Sequence, residues 1–193
     1  MNKIYSYFSV LLLGGFSTLL HSADNNLKFI KLDVEGKVLP DAATNHACVK
    51  DNSTGLIWEV KTADGGLRDK NWTYSWYNST SLDENFGTVS GGTCHAAGYC
   101  DTEKFVQNVN ASKLCGFNDW RLPTTDELSS IIENENEIPL INIQYFPNSI
   151  AQSFWSSSVD NNFASYALMV CFNTGYVFYG YRNDSYPVRL VRK

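Results

Sequence analysis

Cross-links restrict the folds open to this chain more than any local propensity does. All five cysteines, Cys48, Cys94, Cys100, Cys115 and Cys171, follow an apolar opening segment from Ile4 to Leu20 that has a basic residue, Lys3, ahead of it. A basic end followed by an apolar stretch reads as an export signal, so residues 1–23 are read as a signal peptide with cleavage near Ala23, the alternative being an uncleaved N-terminal anchor. No cysteine stands at that boundary to carry a lipid. Beyond Ala23 no apolar run approaches the ~20 residues that span a bilayer, so no membrane insertion is expected once the signal is removed. Export places the thiols in an oxidising compartment, where they pair.

An odd number of cysteines leaves one thiol over, and spacing alone does not fix the connectivity. Cys94 and Cys100 are separated by His95-Ala96-Ala97-Gly98-Tyr99, a short segment whose glycine lets it bend back, so this bridge is expected first. For the second bridge Cys48–Cys115 is preferred, which leaves Cys171 in a strand; Cys115–Cys171 is the rival pairing. A zinc site needs two close Cys/His pairs, and here only Cys94, His95 and Cys100 are near one another. No metal and no cofactor is expected. Calcium calls for about six to eight oxygens, and Asp51, Asn52, Asn118, Asp119 and Asp126 do not supply them from one local run.

The body of the chain has the apolar mass of a folded domain: 44% hydrophobic against 18% charged residues, with Trp 5, Tyr 11 and Phe 11. Its net charge of −5, without a Lys/Arg run, makes nucleic acid a poor partner. Residues 24–45 read as a leader strand or linker and 46–193 as the domain proper. After the Asp51–Gly55 turn comes a short strand, Leu56-Ile57-Trp58-Glu59-Val60. From Lys61 to Gly92, Asn, Ser, Asp and Gly alternate with Trp72, Tyr74, Trp76, Tyr77 and Phe86, a long surface excursion pinned by rings. Asp101 caps a helix over Thr102–Leu114, and Thr124 with Glu127 forms a capping box for a second, with Leu128, Ile131 and Ile132 on its inner face. From Phe154 onward the pattern is a meander of strands: 154–158, 166–172, 176–181 and 188–192. A strand, two helices and then several strands indicate an α+β domain with the helices on a short antiparallel sheet.

Motifs along this order carry a resemblance. Thr54-Gly55-Leu56-Ile57-Trp58-Glu59, Trp72-Thr73-Tyr74-Ser75-Trp76-Tyr77, Cys115 through Thr124 with Glu127-Leu128, Phe154-Trp155-Ser156-Ser157-Ser158 and Val188-Arg189-Leu190-Val191-Arg192 together resemble the bacterial Lcl C-terminal domain family. That family takes its name from the end domain of a collagen-like surface adhesin. The resemblance implies a fold akin to C-type lectin-like domains and to formylglycine-generating enzymes, whose Arg-Leu-Pro-Thr helix start is similar to Arg121–Thr124. The adhesin's end domain is associated with sulfated glycosaminoglycans and trimerisation; this sequence departs from it in having no Gly-X-Y stalk and in being acidic.

For function, Trp58 and Trp155 read as core, and Trp120 with Arg121 as a packed ring beside a structural ion pair to Asp119 or Glu59. The lectin calcium motif is absent: Phe146-Pro147-Asn148 lacks its acid, and Asn118-Asp119-Trp120 has the order changed. The C-terminal rings are the binding candidates, because Tyr176, Phe178, Tyr179 and Tyr181 are too many for one strand to bury on one face. Ligand contacts are therefore expected at Tyr176, Tyr179, Tyr181 and Arg182, with Trp72 and Trp76 as second choices. The expectation is a non-enzymatic recognition module, secreted or periplasmic, for a glycan, a cell-surface polymer or an envelope protein. The alternatives are a structural subunit of an envelope or appendage complex, and a thiol- or copper-dependent oxidase, which would need a reactive cysteine pair.

Overall fold

The turn after Cys48 shows how local chemistry sets this fold. Asp51 accepts from the Ser53 amide (2.8 Å) and the Thr54 hydroxyl (2.8 Å), and Gly55 takes φ +75° to close the turn. The chain thus reverses between β2 (Cys48–Asp51) and β3 (Ile57–Glu59). In the computed structural model, which describes residues 27–82, 85–133 and 137–193, these strands are the middle of a four-stranded sheet. Its edges are β1 (Phe29–Leu32) and β9 (Val191–Arg192), each antiparallel to its neighbour. The segment read as a leader or linker therefore carries a sheet strand: Phe29 and Leu32 are buried, and Phe29 packs on Tyr145 and Phe146. The proposed signal, residues 1–23, lies outside the described residues.

A three-stranded sheet follows in the order β5 (Ser153–Trp155), β6 (Tyr166–Cys171) and β7 (Val177–Tyr181). A small third sheet pairs β4 (Tyr74–Ser75) with β8 (Ser185–Tyr186). The C-terminal meander expected from the sequence therefore ends at β7. The last strand crosses to β3, and it is shorter than expected, because the Leu190 amide donates to the Glu59 carboxylate (2.9 Å) and the Leu190 carbonyl accepts from the Glu59 amide (3.0 Å).

The helices form where their caps are written. In α1 (Thr102–Ser112) the Asp101 side chain accepts from the Lys104 amide at 2.8 Å, and Lys113 in the left-handed region ends the helix two residues early. In α2 (Thr125–Ser130) the full capping box forms between Thr124 and Glu127. Glu127 also receives both Arg121 terminal nitrogens, at 2.6 and 2.7 Å, and this pairing holds the Glu127 carboxyl below its ordinary range. Arg121 is thus paired, but with Glu127 and at the surface, while Asp119 pairs with Arg192.

Four indoles sit inside. Trp76, Trp120 and Trp155 donate to the Ser156, Leu114 and Tyr74 carbonyls at 3.0, 3.1 and 2.7 Å. Each ring buries apolar surface and satisfies a main-chain carbonyl at once, and the Trp76 and Trp155 bonds anchor the long excursion to the strand segment that begins at Ser153. Trp58 lies with Phe146, Phe154, Phe172 and Leu128 in a second cluster on the other side of the large sheet. Burial of each such ring contributes about 1.5–3 kcal/mol. Disulfides join Cys48 to Cys115 and Cys94 to Cys100, and Cys171 is the free thiol. The result is an α+β domain of two helices and small antiparallel sheets. No helix of the described residues is long and apolar enough to cross a membrane.

Candidate functional site

Residues of β7 alternate between a core face and an open one. Gly180 belongs to the core face: a Cβ there would lie 2.7 Å from the Trp155 ring and 2.8 Å from the Met169 methyl, so only glycine fits. Val177, Tyr179 and Tyr181 occupy the opposite face, opposite Val170, Leu168 and Tyr166 of β6. At one end this face is covered, because Val170 packs with Leu128 and Ile131 of the α2 region. At the other end it is bare.

On the bare end the rings touch one another. Tyr166 and Tyr181 have centroids 4.3 Å apart and an interplanar angle of 32°. Tyr179 meets Tyr166 edge-on at 6.1 Å, and Phe163 meets Tyr179 at 5.7 Å and Tyr166 at 6.3 Å. Tyr179 and Tyr181 are 51% and 52% exposed, and Tyr176, just before β7, is 70% exposed. Polar groups border the rings. The Tyr179 hydroxyl donates to Asp160 Oδ2 at 2.8 Å, and Asp160 Oδ1 accepts from the Asn162 amide at 2.9 Å. The Asn162 amide, and after it the Tyr179 hydroxyl, hold the Asp160 carboxyl low, while Asp160 raises the Tyr179 phenol. The Tyr181 hydroxyl raises the Tyr166 phenol in the same way. At neutral pH Tyr166 and Tyr179 are therefore neutral phenols beside the Asp160 carboxylate.

The remaining expected contacts lie elsewhere. Trp76 and Arg182 are only 1% and 2% exposed; Arg182 is turned inward, and Trp76 borders the two hollows described below. The Arg182 guanidinium lies 4.2 Å from the Trp76 ring centroid and donates to the Tyr166 carbonyl (3.0 Å) and to the Asn85 carbonyl. A cation stacked on an indole and bonded to main-chain oxygens is satisfied inside the fold, so Arg182 lies beneath the face and not on its rim. Trp72 is half-buried and donates to the Gly66 carbonyl at 2.7 Å, away from the tyrosine face. Sequence reasoning missed Phe163 and Tyr166. The signal for Tyr166 was available, since folding back at the Asn173–Gly175 turn sets it opposite Tyr181.

Two hollows flank Trp76. One, of about 290 Å³, is lined by Trp76, Thr102, Glu103, Val106, Arg121 and Leu122. The other, of about 480 Å³, is lined by Asn78, Leu82, Val159, Asn161 and Ala164 among others. Cys171 is half-buried at the far end of β6; burial raises its thiol, but bonds from Thr174, Asn173 and Ser153 outweigh that and leave it below its ordinary value. The other four cysteines are tied up in the disulfides.

Fold and face together define a disulfide-held α+β domain that displays an aromatic surface. The chain belongs to the Lcl C-terminal domain family, whose model matches residues 47–192. Membership marks it as a cell-surface-associated domain, and the disulfides fit an oxidising compartment. No curated protein matches the chain.

Proposed function

We propose that this protein is a non-enzymatic recognition module, secreted or periplasmic in a bacterium, whose tyrosine face binds a glycan. The observation that carries this reading is the group of touching rings in which Phe163, Tyr179 and Tyr181 are exposed around the half-buried Tyr166. Sugar rings present C–H faces that pack on aromatic faces, and their hydroxyls bond to neighbouring polar groups. Here the phenol hydroxyls and Asp160 stand beside the rings as such groups. The chain is acidic, with a net charge of −5, and a carboxylate stands at the face, so an uncharged glycan fits better than a sulfated one. Binding is an equilibrium in which ring burial supplies the affinity and the polar rim sets orientation.

The test screens the protein against arrayed glycans and against envelope proteins in a pull-down. Retention of a neutral glycan by the native protein, lost in Tyr179→Ala and Tyr181→Ala, is the expected result. Absence of any glycan above background sinks the proposal. So does selective capture of an envelope protein by a surface that these variants leave unchanged.

A further inference from the structure

Beyond the tyrosine face, β7 has an unguarded edge. It is the last strand of its sheet, paired with β6 on one side only. The Tyr176 carbonyl accepts from the Cys171 amide (3.0 Å), and the Arg182 amide donates to the Ser165 carbonyl (3.0 Å). By antiparallel alternation Phe178 and Gly180 also turn their main-chain groups toward β6, while Val177, Tyr179 and Tyr181 turn theirs outward. Of these outward groups, the Tyr181 carbonyl accepts from the Asp184 amide (2.9 Å). The amides and carbonyls of Val177 and Tyr179 have no hydrogen-bond partner among the described residues. Folded proteins protect such edges with lysine, proline, a bulge or a cover. This one has none of the first two: from Cys171 to Tyr181 the sequence contains no charged residue and no proline. Val177, Phe178, Tyr179 and Tyr181 are each more than 40% exposed.

We infer that β7 is the pairing edge of a homodimer, in which β7 of a second copy adds antiparallel to it about a two-fold axis through Tyr179. The sequence Val177-Phe178-Tyr179-Gly180-Tyr181 is self-complementary in that register. Tyr179 faces Tyr179 of the second copy in a hydrogen-bonded pair, and Val177 faces Tyr181, whose carbonyl takes a second bond beside that from Asp184, so the amides and carbonyls of Val177 and Tyr179 find partners. The strand and the turn before it, from Cys171 to Tyr181, carry no charge, so two acidic copies can pair there without a like-charge pair along the strands, Asp160 on the Tyr179 hydroxyl being a carboxylate beside it. A single pair of short strands falls below the ~1,200 Å² of stable interfaces, so the dimer is weak and concentration-dependent. Directly opposed residues share a sheet face, so pairing also joins the two tyrosine faces into one longer surface.

The test is sedimentation equilibrium of the purified protein without ligand, from micromolar to millimolar concentration, together with amide hydrogen exchange. The expected result is a monomer–dimer equilibrium in which the Val177 and Tyr179 amides gain protection as concentration rises, while those of Phe178 and Gly180 are protected throughout. Val177→Pro removes an outward amide that β6 does not use, and Tyr179→Lys sets two like charges face to face. Each should weaken dimerisation by at least about 10-fold. If Val177→Pro unfolds the domain, Tyr179→Lys decides the matter. A native protein that is monomeric at millimolar concentration overturns the inference. Equally, it fails if Tyr179→Lys leaves dimerisation unchanged, or if the native protein dimerises with its Tyr179 amide still exchanging freely. Because no glycan is present, these outcomes are independent of the glycan-binding result.

Discussion

The guanidinium of Arg182 lies over the indole of Trp76 with 4.2 Å between its central carbon and the ring centroid. This stack ties the residue that follows β7 to the long excursion, and the Trp76 amide reinforces it by donating to the Arg182 carbonyl at 3.1 Å. The tyrosine face depends on it, since Arg182 also holds the carbonyl of Tyr166. Replacement of Arg182 by Ala leaves buried carbonyls without donors and opens a space against the indole. A loss of about 2–4 kcal/mol in unfolding free energy is expected, measured by urea denaturation. Arg182→Lys should recover only part of it, because an ammonium does not reproduce the planar stack.

The two disulfides should differ in their contribution. Cys48–Cys115 closes a loop of 67 residues and Cys94–Cys100 one of 6. Loop-closure entropy assigns about 4 kcal/mol to the first and about 2 kcal/mol to the second. Paired serine variants, Cys48→Ser with Cys115→Ser and Cys94→Ser with Cys100→Ser, should follow that order in denaturation midpoint. Cys171→Ser should leave the midpoint close to that of the native protein.

A buried charge group between β3 and the C-terminal segment gives a pH signature. Lys61 and Arg189 are both buried around Glu59: Lys61 Nζ donates to Glu59 Oε1 at 3.0 Å, and Arg189 donates to the Glu59 carbonyl at 2.7 Å. Burial lowers the pKa of both cations, that of Arg189 to about 10, and Glu59 only partly offsets this. Glu59→Gln leaves the cations unbalanced and should cost about 3–5 kcal/mol at neutral pH. A lysine lowered by folding binds fewer protons than the unfolded chain does between its folded value and the ordinary 10.5. Stability should therefore rise with pH through that window, and the deficit of Glu59→Gln should shrink on the alkaline side. Urea titrations of both proteins at a series of pH values check the slope; a deficit that deepens with alkali contradicts it.

What was legible in the sequence is local. The Asp101 and Thr124–Glu127 caps are spelled in four-residue patterns, so both helices were readable, and the Leu168-Val170 alternation marked β6. The pairing of β4 with β8 was hidden, because it joins Tyr74 to Tyr186 through two-residue strands that carry no period of their own. So was the departure of β9 from the C-terminal meander, which depends on the Glu59 carboxylate capturing the Leu190 amide from across the fold. At the candidate site the exposed tyrosines followed from counting rings on one strand. Arg182 did not, since a charge beside exposed rings reads as a rim until its indole and carbonyl partners are seen.

The most direct measurement of the central claim is the affinity of the native protein for a neutral oligosaccharide, by titration calorimetry, beside Tyr179→Ala and a control at Tyr99. Tyr99 is an exposed ring in the Cys94–Cys100 loop, away from the proposed face. The account predicts that Tyr179→Ala weakens binding by about 30-fold or more, as loss of a central aromatic contact does, while both variants keep the native melting temperature and Tyr99→Ala keeps the native affinity. Equal affinity of Tyr179→Ala and the native protein would contradict it.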